Sequence, residues 1–102
     1  MVKISVMYPY SVGARFDHDY YRERHVPFVV QRMGPACKAH SIDKGLTGGR
    51  AGTPPLYVAA CHVVCDSMEA FDAAFGPSAR EIAADTPNYT DIKPLMQVSE
   101  IF

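Results

Sequence analysis

The sequence predicts an α+β fold: a ferredoxin-like βαββαβ chain whose four-stranded antiparallel sheet carries two helices on one face. Three observations support it. Val2 to Pro9 and Leu56 to Cys65 read as strands, the first alternating and the second almost continuously apolar. Two other stretches open on capping residues, Asp17 and Asp66-Ser67, and continue with apolar residues at helical spacing. Pro94 falls inside the last apolar stretch, which suits an edge strand because proline cannot donate to a central ladder.

In Val2 to Pro9, residues Val2, Ile4, Val6 and Tyr8 alternate with Lys3, Ser5 and Met7, so one face of this strand is apolar. A loop with Gly13 leads to Asp17, a favourable N-cap, with Phe16 placed to staple onto Tyr21. The helix is expected to run towards Met33 and stop at Gly34-Pro35, with a kink near Arg24 to Val26, because Pro27 removes one backbone donor. Ala36 to Leu46 alternates weakly as a second strand, and a Gly- and Pro-rich loop, TGGRAGTPP, follows it. Leu56 to Cys65 should be central. Asp66-Ser67 then caps a second helix, with Glu69 placed for a capping box and Met68, Phe71, Ala74 and Phe75 on one face. Gly76-Pro77 interrupts that helix, which resumes as far as Asp85, and Ile92 to Phe102 forms the last strand.

At 102 residues the chain is expected to be a single domain, 1–102. Ten basic and eleven acidic residues, spread without a basic cluster, give no footprint for nucleic acid. RNA-recognition domains share this strand and helix order, but the central strand reads YVAACHVV and lacks their aromatic and basic run. No apolar run is long enough to span a membrane, and MVKISVMYP lacks the features of a secretory signal, so a cytoplasmic protein is expected. Cys37, Cys61 and Cys65 read as reduced packing thiols. Cys61 and Cys65 on one strand would lie about 13 Å apart, too far to hold one metal ion. Neither a metal nor an organic cofactor is expected, since the chain has no Gly-x-Gly-x-x-Gly motif, no cysteine pair and no metal-ligand spacing.

Both faces of the central strand are apolar, whereas helices cover only one. The uncovered face, with Leu56, Val58, Ala60, His62 and Val64, is expected to pack on a second subunit as a homodimer.

The strand VKISVMYP, the segment GARFDHDYYRERHVPFV, and HVVCDSMEAFDAAF followed by TPNYTDIKPLMQVSEI together resemble the EthD family, over nearly the whole chain. The resemblance implies a dimeric α/β barrel, in which two ferredoxin-like sheets face each other. The family label carries an oxidoreductase sense. Relatives in the wider barrel group include lactone isomerases, aromatic polyketide cyclases and cofactor-independent oxygenases. That implies a small apolar, phenolic or lactone-like ligand held between sheet and helices.

Tyr21 and His25 lie four residues apart on one helical face, which Val29 continues. The family's Tyr-Tyr-x-x-x-His-x-Pro pattern falls on Tyr20, Tyr21, His25 and Pro27. His25 is the candidate catalytic residue, as general acid or base near neutral pH. Tyr8, Tyr20, Tyr21 and Val29 are the candidate ligand-binding residues, with Tyr8 closing one side of the pocket from the end of the first strand. A structural role competes: His25 bonding a nearby carbonyl, and the tyrosines packing in the core. Tyr57 and Tyr89 read as packing, His62 as an interface residue, and Arg15 and Arg50 as loop residues within reach of an anion. Two functional classes follow: a cofactor-free isomerase, cyclase or oxidoreductase-type enzyme, or a non-catalytic accessory protein that binds a metabolite for a degradative oxygenase pathway.

Overall fold

The computed structural model describes residues 1–102. Four strands, β1 (Val2–Pro9), β2 (Ala39–Lys44), β3 (Tyr57–Cys65) and β4 (Leu95–Glu100), form one antiparallel sheet in the order β2-β3-β1-β4. β1 and β3 are central and β4 is an edge strand, as the order of elements predicts. Pro94 lies just before β4 rather than within it, so the last strand is shorter than its apolar pattern. β2 is likewise shorter than expected.

On β3 the alternation decides which face is covered. Ala59, Cys61, Val63 and Cys65 are buried with Ile4 and Tyr8 of β1, whereas Val58, Ala60, His62 and Val64 are only half-buried. The β1–β3 register slips between Tyr8 and Pro9, where Tyr8 faces Ala59 and Pro9 faces Tyr57. Pro9 has no N–H to give, and a bulge beside it removes the demand for one.

Each expected helix is broken into shorter pieces. The first comprises α1 (His18–Tyr20), a π turn (Tyr21–His25) and α2 (Val26–Met33). Asp17 is its N-cap, accepting the backbone N–H of Tyr20 at 3.0 Å. The expected kink before Pro27 takes the form of the π turn, in which the N–H of Val26 bonds the carbonyl of Tyr21, five residues back. A proline ring clashes with the carbonyl four residues earlier, here Glu23, and one wider turn relieves that crowding. α2 ends at Gly34, whose φ of 61° suits glycine, and a 3-10 turn through Pro35 follows.

The second helix is α3 (Met68–Phe75), a 3-10 turn at Gly76–Ser78, and α4 (Ala79–Asp85). Its N-cap is Ser67, whose hydroxyl accepts the N–H of Ala70 at 3.1 Å. With Ala70 in the third helical position, Glu69 is one residue too early for a capping box and contributes only a first-turn charge. No helix is long and apolar enough to cross a membrane.

Candidate functional site

The helices leave a cavity of about 250 Å³ between themselves and the covered face of the sheet. Its floor is Ile4, Val6, Cys61 and Val63, and its roof includes Val29, Met33, Phe71 and Ile82. Apart from Thr86, the polar groups are concentrated at one end, where Tyr8, Tyr21, His25 and Tyr89 converge. No lysine, arginine or carboxylate lines it. Met96 of β4 reaches the cavity wall yet is 57 % exposed, so the helices leave the β4 side open to solvent.

The polar end is built by three separate elements. Tyr8 projects from β1, Tyr21 and His25 from the π turn, and Tyr89 from the loop before β4. Phe16 joins Tyr8, Tyr21 and Tyr89 in an aromatic box with ring centroids 5.0 to 6.0 Å apart, mostly edge to face. Its contact with Tyr21 is the expected staple. The loop carrying Tyr89 is tied down by the N–H of Asp17 donating to the Tyr89 carbonyl at 2.7 Å and by Thr90 donating to the Arg15 carbonyl at 2.7 Å. The Arg15 guanidinium donates to the Pro87 carbonyl, so it serves the same loop.

His25 is 5 % exposed and bonded at both ring nitrogens. Nδ1 lies 2.8 Å from Oδ2 of Asp85, and Nε2 lies 3.2 Å from the hydroxyl of Tyr89. The Asp85 carboxyl is held below its ordinary pKa: burial pushes it up, but hydrogen bonds from Tyr20, Asn88 and His25 outweigh that. An ionised carboxylate only accepts, so Nδ1 carries the proton and neutral His25 presents Nε2 as an acceptor. Tyr89 donates to Nε2, and its oxygen in turn accepts from Tyr8 at 2.7 Å. Burial pulls His25 below the ordinary histidine value, partly offset by the Asp85 hydrogen bond and charge. The imidazole is therefore neutral at neutral pH and able to take a proton. Burial raises the Tyr8, Tyr21 and Tyr89 phenols, which stay protonated, and pushes the Cys61 thiol up to about 11.

Of the residues singled out from sequence, Tyr8, Tyr21, His25 and Val29 line this cavity. Tyr20 does not. Its hydroxyl donates to Oδ1 of Asp85 at 2.6 Å, and its ring borders an outer groove with Arg24 and Phe28. A neighbour of Tyr21 on a helix points elsewhere, which the Tyr-Tyr doublet conceals. Tyr89, read as packing, is fully buried yet joins His25 to Tyr8. Asp85 was indistinguishable from any helix-end carboxylate by sequence spacing, because it lies 60 residues from His25.

The uncovered face of the sheet holds a second polar chain. Ser5 lies 2.7 Å from Nδ1 of His62, and Nε2 of His62 lies 3.1 Å from Asp43. These residues sit on the adjacent strands β1, β3 and β2. No three His, Cys, Asp or Glu side chains come together as a metal site.

The fold and its site define an α+β ferredoxin-like domain with a histidine-bearing cavity under its helices. The EthD domain model matches residues 11–93, and the chain belongs to the EthD family. An EthD-like protein from Ralstonia eutropha JMP134 is 52 % identical, covering 97 % of this chain and 89 % of its own, with a TM-score of 0.94. An EthD family protein from Bacillus halodurans C-125 shares the fold at 15 % identity, covering 100 % of this chain and 99 % of its own, with a TM-score of 0.68. A dimeric ferredoxin-like protein from Thermobifida fusca YX is similar at 14 % identity and a TM-score of 0.60, over 98 % of this chain and 90 % of that one. Among curated proteins there is no match.

Proposed function

We propose that this EthD-family domain binds a small neutral ring compound, a phenol, cyclic ketone or lactone, and moves a proton on it with His25 as the acid/base. The observation that carries this reading is the placement of a neutral imidazole, backed by a carboxylate, at the single polar end of an apolar cavity. An apolar cavity of about 150 Å³ accepts benzene. At about 250 Å³ this one has room for a substituted or fused ring. With no cation in its wall, a carboxylate or phosphate would be buried without a counter-charge, so neutral ligands are favoured.

In this reading the ligand oxygen sits at the Tyr8–Tyr89 end, and Tyr89 turns its O–H from Nε2 of His25 to that oxygen, which frees Nε2. Nε2 of His25 removes a proton from an acidified carbon or hydroxyl. The imidazolium so formed keeps its Nδ1–H bond to Asp85, and Nε2–H returns the proton to another atom of the same ligand. No redox step is required.

The partner is a second copy of the chain, packed on the open sheet face. Val58, Ala60 and Val64 remain half-buried there, and the Thermobifida relative is dimeric.

The test is a panel of neutral phenols and lactones, screened first by native mass spectrometry for a retained metabolite and then for turnover. His25→Ala should abolish product formation while leaving ligand affinity within a few-fold. Undiminished turnover in that variant removes the acid/base role, and tight binding without product in the wild type would point to an accessory carrier.

A further inference from the structure

From the geometry we infer that Asp85 is the positioning residue of His25, held by Tyr20 and Asn88, and that the π turn brings Tyr20 and His25 onto this one carboxylate. The inference rests on the acid/base reading given above.

Asp85 is the last residue of α4, where the carbonyl end of a helix disfavours a negative charge. Helix stability therefore gives no reason for a carboxylate here. Its hydrogen bonds do. Oδ2 faces Nδ1 of His25 at 2.8 Å, while Oδ1 accepts from the Tyr20 hydroxyl at 2.6 Å and from the Asn88 amide at 2.9 Å. Donors on both oxygens fix the carboxylate plane, and the fixed plane dictates which imidazole nitrogen carries the proton. Burial keeps this arrangement stiff: the His25 side chain is 7 % exposed and that of Asp85 is 20 % exposed.

Tyr20 and His25 are five residues apart. On an ideal α-helix that spacing turns them roughly 140° away from each other, too far to share one carboxylate. The π turn over Tyr21–His25, closed by the bond from the Val26 N–H to the Tyr21 carbonyl, narrows that angle. Pro27, two residues beyond His25, supplies the local reason for the wider turn. The same wall separates two spaces. His25 lines the ligand cavity together with Tyr89, the partner of its Nε2, and Tyr20, Asp85 and Asn88 line the groove on its outer side with Arg24 and Glu81. Asp85 thus acts through His25 without touching a ligand in the cavity.

The experiment is ¹⁵N NMR of the histidine ring in the full chain without any substrate, which reports which nitrogen is protonated. In the wild type above its titration range, His25 should be the Nδ1–H tautomer. Asp85→Asn keeps one acceptor oxygen, which the Tyr20 and Asn88 donors hold on their side, so its NH2 group faces Nδ1 and should shift His25 towards the Nε2–H tautomer, whose Nε2 no longer accepts from Tyr89. Asp85→Glu should restore Nδ1–H at least in part. Once a substrate is known, Asp85→Asn should lower kcat about 100-fold with KM within about threefold. An Asp85→Asn spectrum that still shows Nδ1–H overturns the inference. If that variant does not fold, Tyr20→Phe carries the test: it should leave both tautomers detectable, and an unchanged single tautomer overturns the role of the clamp. The ring spectrum needs no turnover, so a protein that processes no substrate would end the acid/base reading while the tautomer result still judges Asp85.

Discussion

The hydroxyl of Tyr89 sits 3.2 Å from Nε2 of His25, joining a residue of the loop before β4 to a helix more than sixty positions earlier in the chain. Because the same hydroxyl also meets Tyr8 at 2.7 Å, one oxygen satisfies two buried groups. Tyr89→Phe would leave both without that partner. Leaving a buried polar group unsatisfied costs about 1–3 kcal/mol. The variant should therefore unfold at lower urea, with an unchanged slope, and a ligand hydroxyl placed at this point should recover part of the loss. A midpoint equal to that of the wild type would show that the hydroxyl contributes nothing to the folded state.

Acid should weaken the fold in two steps. His25 is held below its ordinary value of 6.5 in the folded chain, so between 6.5 and that lower value the unfolded chain binds more protons. Stability must then fall as pH drops through this window. Asp85, also held below its ordinary value, adds a second loss at lower pH, as its own carboxylate is protonated. Chemical denaturation at a series of pH values should show both. His25→Gln should reduce the upper window to the part that His18 contributes, since burial also holds that histidine below its ordinary value, and should leave the lower one in place; an unaltered upper window would assign it to His18.

Much of this architecture was legible in the sequence because its signals are local. Alternation in Val2 to Pro9 and apolarity in Leu56 to Cys65 identify the two central strands to within a residue, and Asp17 and the pair Asp66-Ser67 mark where the helices begin. The cavity face of the first helix was legible too, since Tyr21 and His25 are four residues apart and their rings stack at 5.5 Å. What escaped depends on folding. The π turn replaces an expected kink, because proline demands relief from crowding without dictating its form. Asp85 and Tyr89 acquire meaning only when the end of α4 and the loop that Arg15 and Asp17 tie down meet His25.

The open sheet face supports a prediction about assembly. Ala60 lies on β3 beside the polar chain formed by Ser5, His62 and Asp43, on the side the helices do not cover, and pairs with Met7 of β1 and Asp43 of β2. If a second copy packs there, Ala60→Asp places a charge in a sheet-to-sheet interface, with the Asp43 carboxylate rather than a cation as its cross-strand neighbour. The burial cost is several kcal/mol, which raises the dimer dissociation constant at least about 100-fold. Sedimentation velocity should show a dimer for the wild type and a monomer for the variant. Identical sedimentation of the two would place the interface elsewhere.

Filling the cavity separates its role in binding from its role in the fold. Adding bulk to a well-packed core costs about 1–3 kcal/mol, because neighbours are forced from their rotamers. Val29 borders open space instead: its side chain is half-buried on α2 and lines the cavity of about 250 Å³. A phenyl ring at this position can occupy the void, so Val29→Phe should leave the melting temperature unchanged or raise it by a few degrees. The same ring takes the volume that a ligand would use. Calorimetric titration with a phenol that binds the wild type should therefore show at least a tenfold loss of affinity. A destabilised Val29→Phe would mean that the space is closed in solution, and unchanged binding in a stable variant would mean that the ligand lies elsewhere.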